Sequence, residues 1–402
     1  MQRRKKFFFS FWEKKWRAPI KTGIKGAFFS DTMIQEDPKM DGIRFGGKSM
    51  SDQKEKKALG EKAMFSCGEQ SIKFPVPVFI RESASVVGKK EGEGPLKDLF
   101  DMVGDDDMFG CNTWEEAESG LQRDALHLAI KKAGLNTTDI RYLFAGDLLG
   151  QSIATSFGLA QFERPLFGLY GACSTCGLSL SLGAMAICGG YAEYVACVTS
   201  SHFASAEKEF RYPLGYGSQR PLSASWTVTG SGAFVLSSTR GEKARAIITG
   251  ITPGRIMDFG LKDSMNMGAC MAPAASDTIY HHLKDFGRAP EDYDRIITGD
   301  LGKVGQRALL DLLLEREIDI SKQHMDCGIE IFDGEKQDTH AGGSGCGCSA
   351  TVLSAYILKM VEEGSWKRVL FVPTGALLSK TSFNEGQNVP GIAHGVVIEH
   401  IE

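Results

Sequence analysis

The chain has 402 residues, 42% of them hydrophobic and 24% charged, enough apolar material for a full globular core in one large α/β body or in two or three smaller domains. A formal net charge of −4 argues against nucleic acid as a partner of the main body, and no apolar run reaches the ~20 residues that span a bilayer. Ten cysteines in a chain this long do not make a disulfide scaffold, so reduced thiols in an intracellular compartment are expected.

Residues 1–70 lack sustained periodicity and read as a basic, disordered N-terminal extension. Arg3, Arg4, Lys5, Lys6, Lys14, Lys15, Arg17 and Lys21 against Glu13 give residues 1–22 a net +7, leaving −11 for the rest. Basic plus aromatic composition also suits a membrane-surface anchor. The third reading is translated sequence ahead of a later start at Met50 or Met64.

From residue 71 the pattern is α/β. Thr113 followed by Glu116 is a capping box. Leu121, Ala125, Leu128 and Ala129 then form the stripe of a core-facing helix. Residues 141–146 and 165–170 read as buried strands. Residues 173–188 read as a helix of small and apolar residues, apolar all round and therefore buried between layers. Residues 194–199 read as a third strand. The same order then recurs. Residues 145–150 match 298–303, 171–176 match 344–349, 195–201 match 369–375, and 229–236 match 390–397. Four matches in one order imply an internal duplication, with halves at 71–240 and 241–402, each burying its central helix against the other.

Cys173 is the leading candidate for chemistry. It follows a strand and opens a helix, where free amides and the helix dipole stabilise an anion, so a lowered thiol pKa is expected. The competing reading is a small buried thiol. The duplication locates its partners in two turns, at Asp300 and at Cys346, facing Cys173 across the pseudo-twofold axis. His202 follows the third strand at the same sheet edge, and Arg211 and Tyr212 lie in the next loop. Asp147 and Asp300 read as turn caps, or as holders of a calcium ion chelated by a ligand. His281-His282 lacks a third ligand, and no metal or cofactor is expected.

Gly171-Ala-Cys-Ser-Thr175, the paired Gly-Asp-Leu turns, the glycine-rich stretch 342–350 and Gly391-Ile-Ala-His-Gly395 together resemble the thiolase-like superfamily. With 199–202, 210–213, 227–232, 271–275 and 374–379 they resemble, over roughly residues 71–400, the stage V sporulation protein AD family of endospore-forming bacteria. The resemblance implies a thiolase-like fold, two pseudo-twofold-related halves in a five-layer α-β-α-β-α arrangement, and a homodimer. It implies binding of dipicolinic acid, or its calcium chelate, and a part in its uptake into the forespore. Other stage V sporulation membrane proteins would be partners, with a peripheral location at the forespore or spore inner membrane. In condensing enzymes of the superfamily the cysteine works with a His and an Asn, or with two His. Here the turn at Asp300 has no His, the glycine turn reads Gly345-Cys346-Gly347, and His340 reaches register only through a gap. The expectation is a non-catalytic protein in which Cys173 is a vestigial nucleophile. Its ligand site is drawn as Cys173, His202, Arg211, Tyr212, Asp300 and Cys346. The alternative is an acyl-CoA thiolase or 3-ketoacyl synthase-type acyltransferase using Cys173; a structural subunit of a membrane assembly is a third reading.

Overall fold

The structure is a computed structural model that describes residues 65–210 and 219–402. The reading of residues 1–64 as an extension, and of Arg211 and Tyr212 as site residues, lies outside the described residues. The folded body reaches further toward the N-terminus than residue 71. Ser66–Cys67 (β1) pairs with Ser71–Val87 (β2), and the Asp285 carboxylate accepts hydrogen bonds from the amides of Glu69, Gln70 and Ser71 at 2.9–3.1 Å.

The first half continues through Lys89–Gly92 (α1), Met102–Val103 (β3), Trp114–Lys132 (α2), Tyr142–Gly146 (β4), Ile153–Leu159 (α3) and Leu166–Gly168 (β5). Thr175–Cys188 (α4), Tyr194–Ser201 (β6), Phe203–Phe210 (α5), Trp226–Thr227 (β7) and Gly230–Ser237 (β8) complete it. The capping box forms in half, with the Glu116 side chain bonding one residue ahead of the cap. Thr113 accepts from the Glu116 amide at 3.2 Å, and Glu116 accepts from the Asn112 amide at 3.1 Å. The strand expected over 165–170 shortens to three residues, and the helix expected from Cys173 starts at Thr175.

The second half runs Ala246–Thr252 (β9), Met267–Phe286 (α6), Arg295–Thr298 (β10), Gly302–Leu314 (α7), His324–Asp326 (β11), Cys327–Glu330 (α8) and Gly343–Ser344 (β12). Cys346–Val352 (α9), a π turn over Leu353–Ile357 and Leu358–Glu362 (α10) follow. Arg368–Val372 (β13), Thr374–Ala376 (β14), Lys380–Asn384 (α11), Gly391–Ala393 (β15) and Gly395–Glu399 (β16) close the chain.

Two five-strand runs carry the same topology, β5-β4-β6-β8-β2 and β11-β10-β13-β16-β9. In each, the first three strands are parallel and the last two antiparallel. The runs join where β2 pairs with β9. The registers repeat the sequence matches. Phe144 stands opposite Cys197 in the first half and Ile297 opposite Phe371 in the second. The fourth match is displaced by one residue. Phe234, opposite Cys197, corresponds to Val396, opposite Phe371, and not to Gly395. A one-residue slip exchanges the two faces of a strand, and burial of Val396 selects the observed register.

Side-chain alternation separates the layers. Val195, Cys197, Phe234 and Leu236 face a central core with Leu180 and Ala184 of α4, Cys348 and Val352 of α9, and Val369 and Phe371 of the other half. Ala196, Val198, Ala233 and Val235 face outward onto Leu121, Ala125 and Ala129 of α2. Leu370, Val372 and Val397 face Ala275 and Ile279 of α6 and Leu309 of α7. The result is the five-layer α-β-α-β-α order. Each fully buried Leu or Phe of the central layer contributes about 1.5–3 kcal/mol of burial free energy. Among the described residues, no helix is long and apolar enough to cross a membrane.

Candidate functional site

The turn before α4 is a short-range construction. Ala172 adopts φ 49°, a left-handed conformation that costs a non-glycine residue on the order of 1 kcal/mol. Ser174 Oγ donates to the Gly171 carbonyl at 2.6 Å and Thr175 Oγ1 to the Ala172 carbonyl at 2.6 Å. The Gly171 amide donates to Thr175 Oγ1 at 3.0 Å. These bonds hold Cys173 at the head of α4. β14 presses against the turn from the other half. A Cβ on Gly375 would lie 2.3 Å from the Gly171 carbonyl oxygen, so only glycine permits the approach.

Behind Cys173 lies Asp300. Its Oδ2 accepts from the Gly345 amide at 3.0 Å and its Oδ1 from Thr374 Oγ1 at 2.6 Å. It also hydrogen-bonds the Cys173 thiol, which the Gly345 amide and the Ser344 hydroxyl approach as well. Burial in a fully enclosed position raises the Asp300 pKa to about 6, against the opposing effect of its three hydrogen-bond partners. Cys173 is driven well above the usual thiol range, first by burial and then by the Asp300 charge. The lowered pKa expected from the helix terminus is therefore reversed. A facing carboxylate and exclusion of water outweigh the dipole of one helix end.

The expectation that Asp147 and Asp300 both cap their own turns holds for one of them. Asp147 accepts from the Leu149 and Thr155 amides, each at 2.8 Å, and from Thr155 Oγ1 at 2.6 Å. In the second half the turn after β10 is capped by Asp326, which accepts from the Leu301 and Gly302 amides at 2.8 and 3.0 Å. Asp300 is thereby released to reach across the halves toward Cys173.

Cys346 opens α9 and shares an apolar cluster with Cys173, Leu148, Ala206 and Phe210. Its thiol donates to the Ser200 carbonyl at 2.8 Å, and burial raises its pKa. The glycine before it has φ 105°, and a Cβ there would meet Ser201 Oγ at 2.5 Å. A carboxylate network lies behind it. Glu118, fully buried, accepts from Ser200 Oγ at 2.9 Å and Ser205 Oγ at 2.7 Å, and burial lifts its pKa to about 8.

A cavity of about 30 Å³ opens in front of Cys173, lined by Leu148, Tyr170, Glu207, Phe210, Met267 and Ser344 among others. That volume admits about two waters. No Lys, Arg or His stands among its described lining residues. Of the predicted site residues within the described regions, Cys173 alone lines it. Asp300 and Cys346 sit one layer behind. His202 is turned away, because both ring nitrogens serve the backbone. The Ala204 amide donates to Nδ1 at 3.1 Å, so Nε2 carries the proton and donates to the Asp107 carbonyl at 2.7 Å. Burial lowers its pKa, keeping it neutral. His340 bonds the Pro221 carbonyl at 2.9 Å and is not among the residues that line the cavity. Ser344 and Thr227 lie in stretches that carry the resemblance but are not singled out there as site residues, and Glu207 and Met267 carry no recognisable motif. Each is brought in by a fold contact, β12 pairing with β7 for the first two.

Comparison with known proteins gives the family and the fold. The family described as Stage V sporulation protein AD (SpoVAD) matches over residues 68–399. The Stage V sporulation protein AD of Bacillus subtilis (strain 168) is 43% identical over 332 residues, covering 83% of this chain and 97% of that protein. Among solved structures, human mitochondrial 3-ketoacyl-CoA thiolase superposes with a TM-score of 0.52 at 13% identity, covering 82% of this chain and 100% of its own. Acetamide-bound OleA of Xanthomonas campestri superposes with a TM-score of 0.51 at 15% identity, covering 82% and 100%. These structural likenesses are likenesses of fold.

Proposed function

The chain belongs to the stage V sporulation protein AD family, and from that premise we propose that it is a non-catalytic sporulation protein whose Cys173 pocket binds dipicolinic acid or its calcium chelate during uptake into the forespore. The observation that carries the reading is the pair of groups around Cys173. A carbon–carbon condensing site needs a thiolate, a general base and donors for a developing oxyanion, each worth several kcal/mol. Here a carboxylate faces the thiol and a second thiol occupies the other turn. The Asp300 charge opposes both thiolate formation and an oxyanion.

A planar dicarboxylate ring calls for an apolar wall and a few polar anchors. Phe210, Met267 and Leu378 supply the wall; Ser344, Thr227 and the Cys173 helix terminus supply donors. Asp300 stands behind the lining, and a dicarboxylate brings negative charge of its own, so a positive group is needed. Arg211, next in the chain after Phe210, is the proposed donor, and a chelated calcium ion is the other source of positive charge. At about 30 Å³ the cavity is smaller than such a ring, so Phe210 and its neighbours must rotate on binding.

We extend the reading to a homodimer acting at the forespore or spore inner membrane with other stage V sporulation membrane proteins. The edge strand β5 exposes Leu166 and Phe167, and an unpaired apolar edge invites a second strand. Calorimetry on the full chain tests the ligand. Dipicolinic acid should bind with and without calcium, and pyridine-2-carboxylic acid much more weakly; equal or absent binding refutes the reading. The acyltransferase alternative keeps one observation in its favour, Cys173 at a helix N-terminus. Acetyl-CoA with intact-mass detection of an acyl-Cys173 adduct that turns over would establish it.

A further inference from the structure

A second cleft, of about 490 Å³, is lined by Arg255, Asp277, Tyr280, His281 and Arg316. None of these residues lines the Cys173 cavity. Asp277, Tyr280 and His281 lie on α6; Arg255 follows β9 and Arg316 follows α7. Arg255 grips the Asp277 carboxylate through Nε at 3.1 Å and Nη2 at 2.6 Å, and Nη2 also donates to His281 Nε2 at 3.0 Å. That last bond makes Nε2 an acceptor, so the ring proton resides on Nδ1. His281 is 6% exposed, yet Nδ1 has no hydrogen-bond partner. The carboxylate on the Nδ1 side, Glu69, holds its Oε2 3.7 Å away, beyond hydrogen-bond reach, while its Oε1 is engaged with Lys284 at 2.8 Å. A buried N–H left without an acceptor calls for an explanation.

The cationic groups around it are only partly used. Arg316 lies over the Tyr280 ring at 4.7 Å from the centroid, and no carboxylate pairs with it among the described residues. The bonds of Arg255 to Asp277 and His281 use Nε and Nη2, leaving the two Nη1 donors. Both oxygens of Asp277 are committed to Arg255. Beside the Arg255–Asp277 pair, the cleft thus presents the Arg316 guanidinium, the two Nη1 donors of Arg255 and one imidazole N–H, from three different elements.

We propose that this cleft binds a phosphate group. A carboxylate offers two coplanar oxygens and would satisfy one arginine fork. A tetrahedral anion offers three or four oxygens in different directions, matching the Arg316 fork, the Nη1 donors of Arg255 and a separate N–H donor. The same chemistry serves free phosphate, a small phosphomonoester or a phospholipid headgroup. The site is separate from the pocket at Cys173 and does not depend on what that pocket holds.

The test uses the full chain. Titration with inorganic phosphate in chloride buffer should show saturable binding. Arg316→Gln and His281→Gln should each weaken it about tenfold or more, as loss of one charge-assisted or buried donor predicts. Arg316→Lys, which keeps the charge and loses the fork, should fall between. Arg316 is a surface group, so its variants retain the fold, checked by circular dichroism. Flotation with phosphatidylcholine vesicles, with and without phosphatidic acid, separates the sources. Capture on phosphatidic acid that free phosphate competes away assigns a headgroup; phosphate binding without vesicle capture assigns the free anion. Absence of phosphate binding overturns the proposal, as does binding or vesicle capture that survives both substitutions. Dipicolinic acid titrated into the same variants should behave as in the wild type, so the two readings fail independently.

Discussion

Replacing Asp300 by Asn isolates the interaction that most distinguishes this site. The carboxylate hydrogen-bonds the Cys173 thiol, and two like charges at ~4 Å in a protein of effective dielectric ~20 repel by about 4 kcal/mol. That equals about three pK units of thiolate suppression. A thiol of lower pKa is also a weaker nucleophile, with a Brønsted coefficient of roughly 0.4–0.5, which removes about half of the logarithmic gain. The net expectation is a roughly 30-fold faster reaction of Cys173 in Asp300→Asn at pH 8. The assay is disulfide exchange with methyl methanethiosulfonate, followed by peptide mass spectrometry at Cys173, with Cys173→Ala as the blank. Access to the cavity is common to both proteins, so the ratio reports the thiol. A second readout carries an independent sign. The folded-state pKa of Asp300 lies near 6, above the unfolded value of about 3.9. Its contribution to stability is therefore present below about pH 4 and lost as pH rises through 6. At pH 8 the Asn variant should be more stable than wild type by at most about 3 kcal/mol, and the advantage should vanish near pH 4. An unchanged or slower exchange rate in a folded variant would refute the electrostatic account of this pocket.

Other consequences follow the same logic. Glu118, held near 8 by burial, contributes stability that is present below about pH 4.5 and lost as pH rises through 8. Glu118→Gln should flatten the decline in unfolding free energy between about pH 4.5 and 8, by at most about 5 kcal/mol; parallel wild-type and variant curves would contradict this. Gly375→Ala drives a Cβ to 2.3 Å from the Gly171 carbonyl and should cost more than about 2 kcal/mol in denaturant unfolding. Leu180→Ala, at a fully buried position of the central layer, should cost about 2–5 kcal/mol. Thr113→Ala removes the cap of α2 and should cost about 1 kcal/mol. Phe167→Asp places a charge on the exposed edge strand and should convert the proposed dimer to a monomer in light scattering at unchanged fold.

Much of the architecture was readable because it is local or periodic. The capping box at Thr113 needs residues three apart, and the all-apolar pattern over 173–188 announces a helix with no solvent face. The two occurrences of Gly-Asp-Leu and of a cysteine at a helix start exposed the duplication. The fourth match slipped by one residue, because a glycine-rich segment carries little face preference and its register comes from pairing with β13. Glu207 and Met267 were invisible as site residues, since nothing in their neighbourhoods marks them; Ser344 and Thr227 lie in marked stretches, but only the pairing of β12 with β7 brings them to the cavity. His202 lies at the expected sheet edge, yet its ring is consumed by the backbone.

The sequence by itself determined the family, the layer order and the position of Cys173 at a strand-to-helix turn. It also determined that His and Asn are absent from the two partner turns. Only the tertiary structure decided what those absences mean for the thiol. Asp147 and Asp300 occupy equivalent positions in the repeat, yet Asp147 caps its own turn while Asp326 takes over that duty in the second half, freeing Asp300 to face Cys173. A pKa is set by burial and by charges within a few ångströms. Those neighbours come from the opposite half of the chain and become neighbours only when the halves pack.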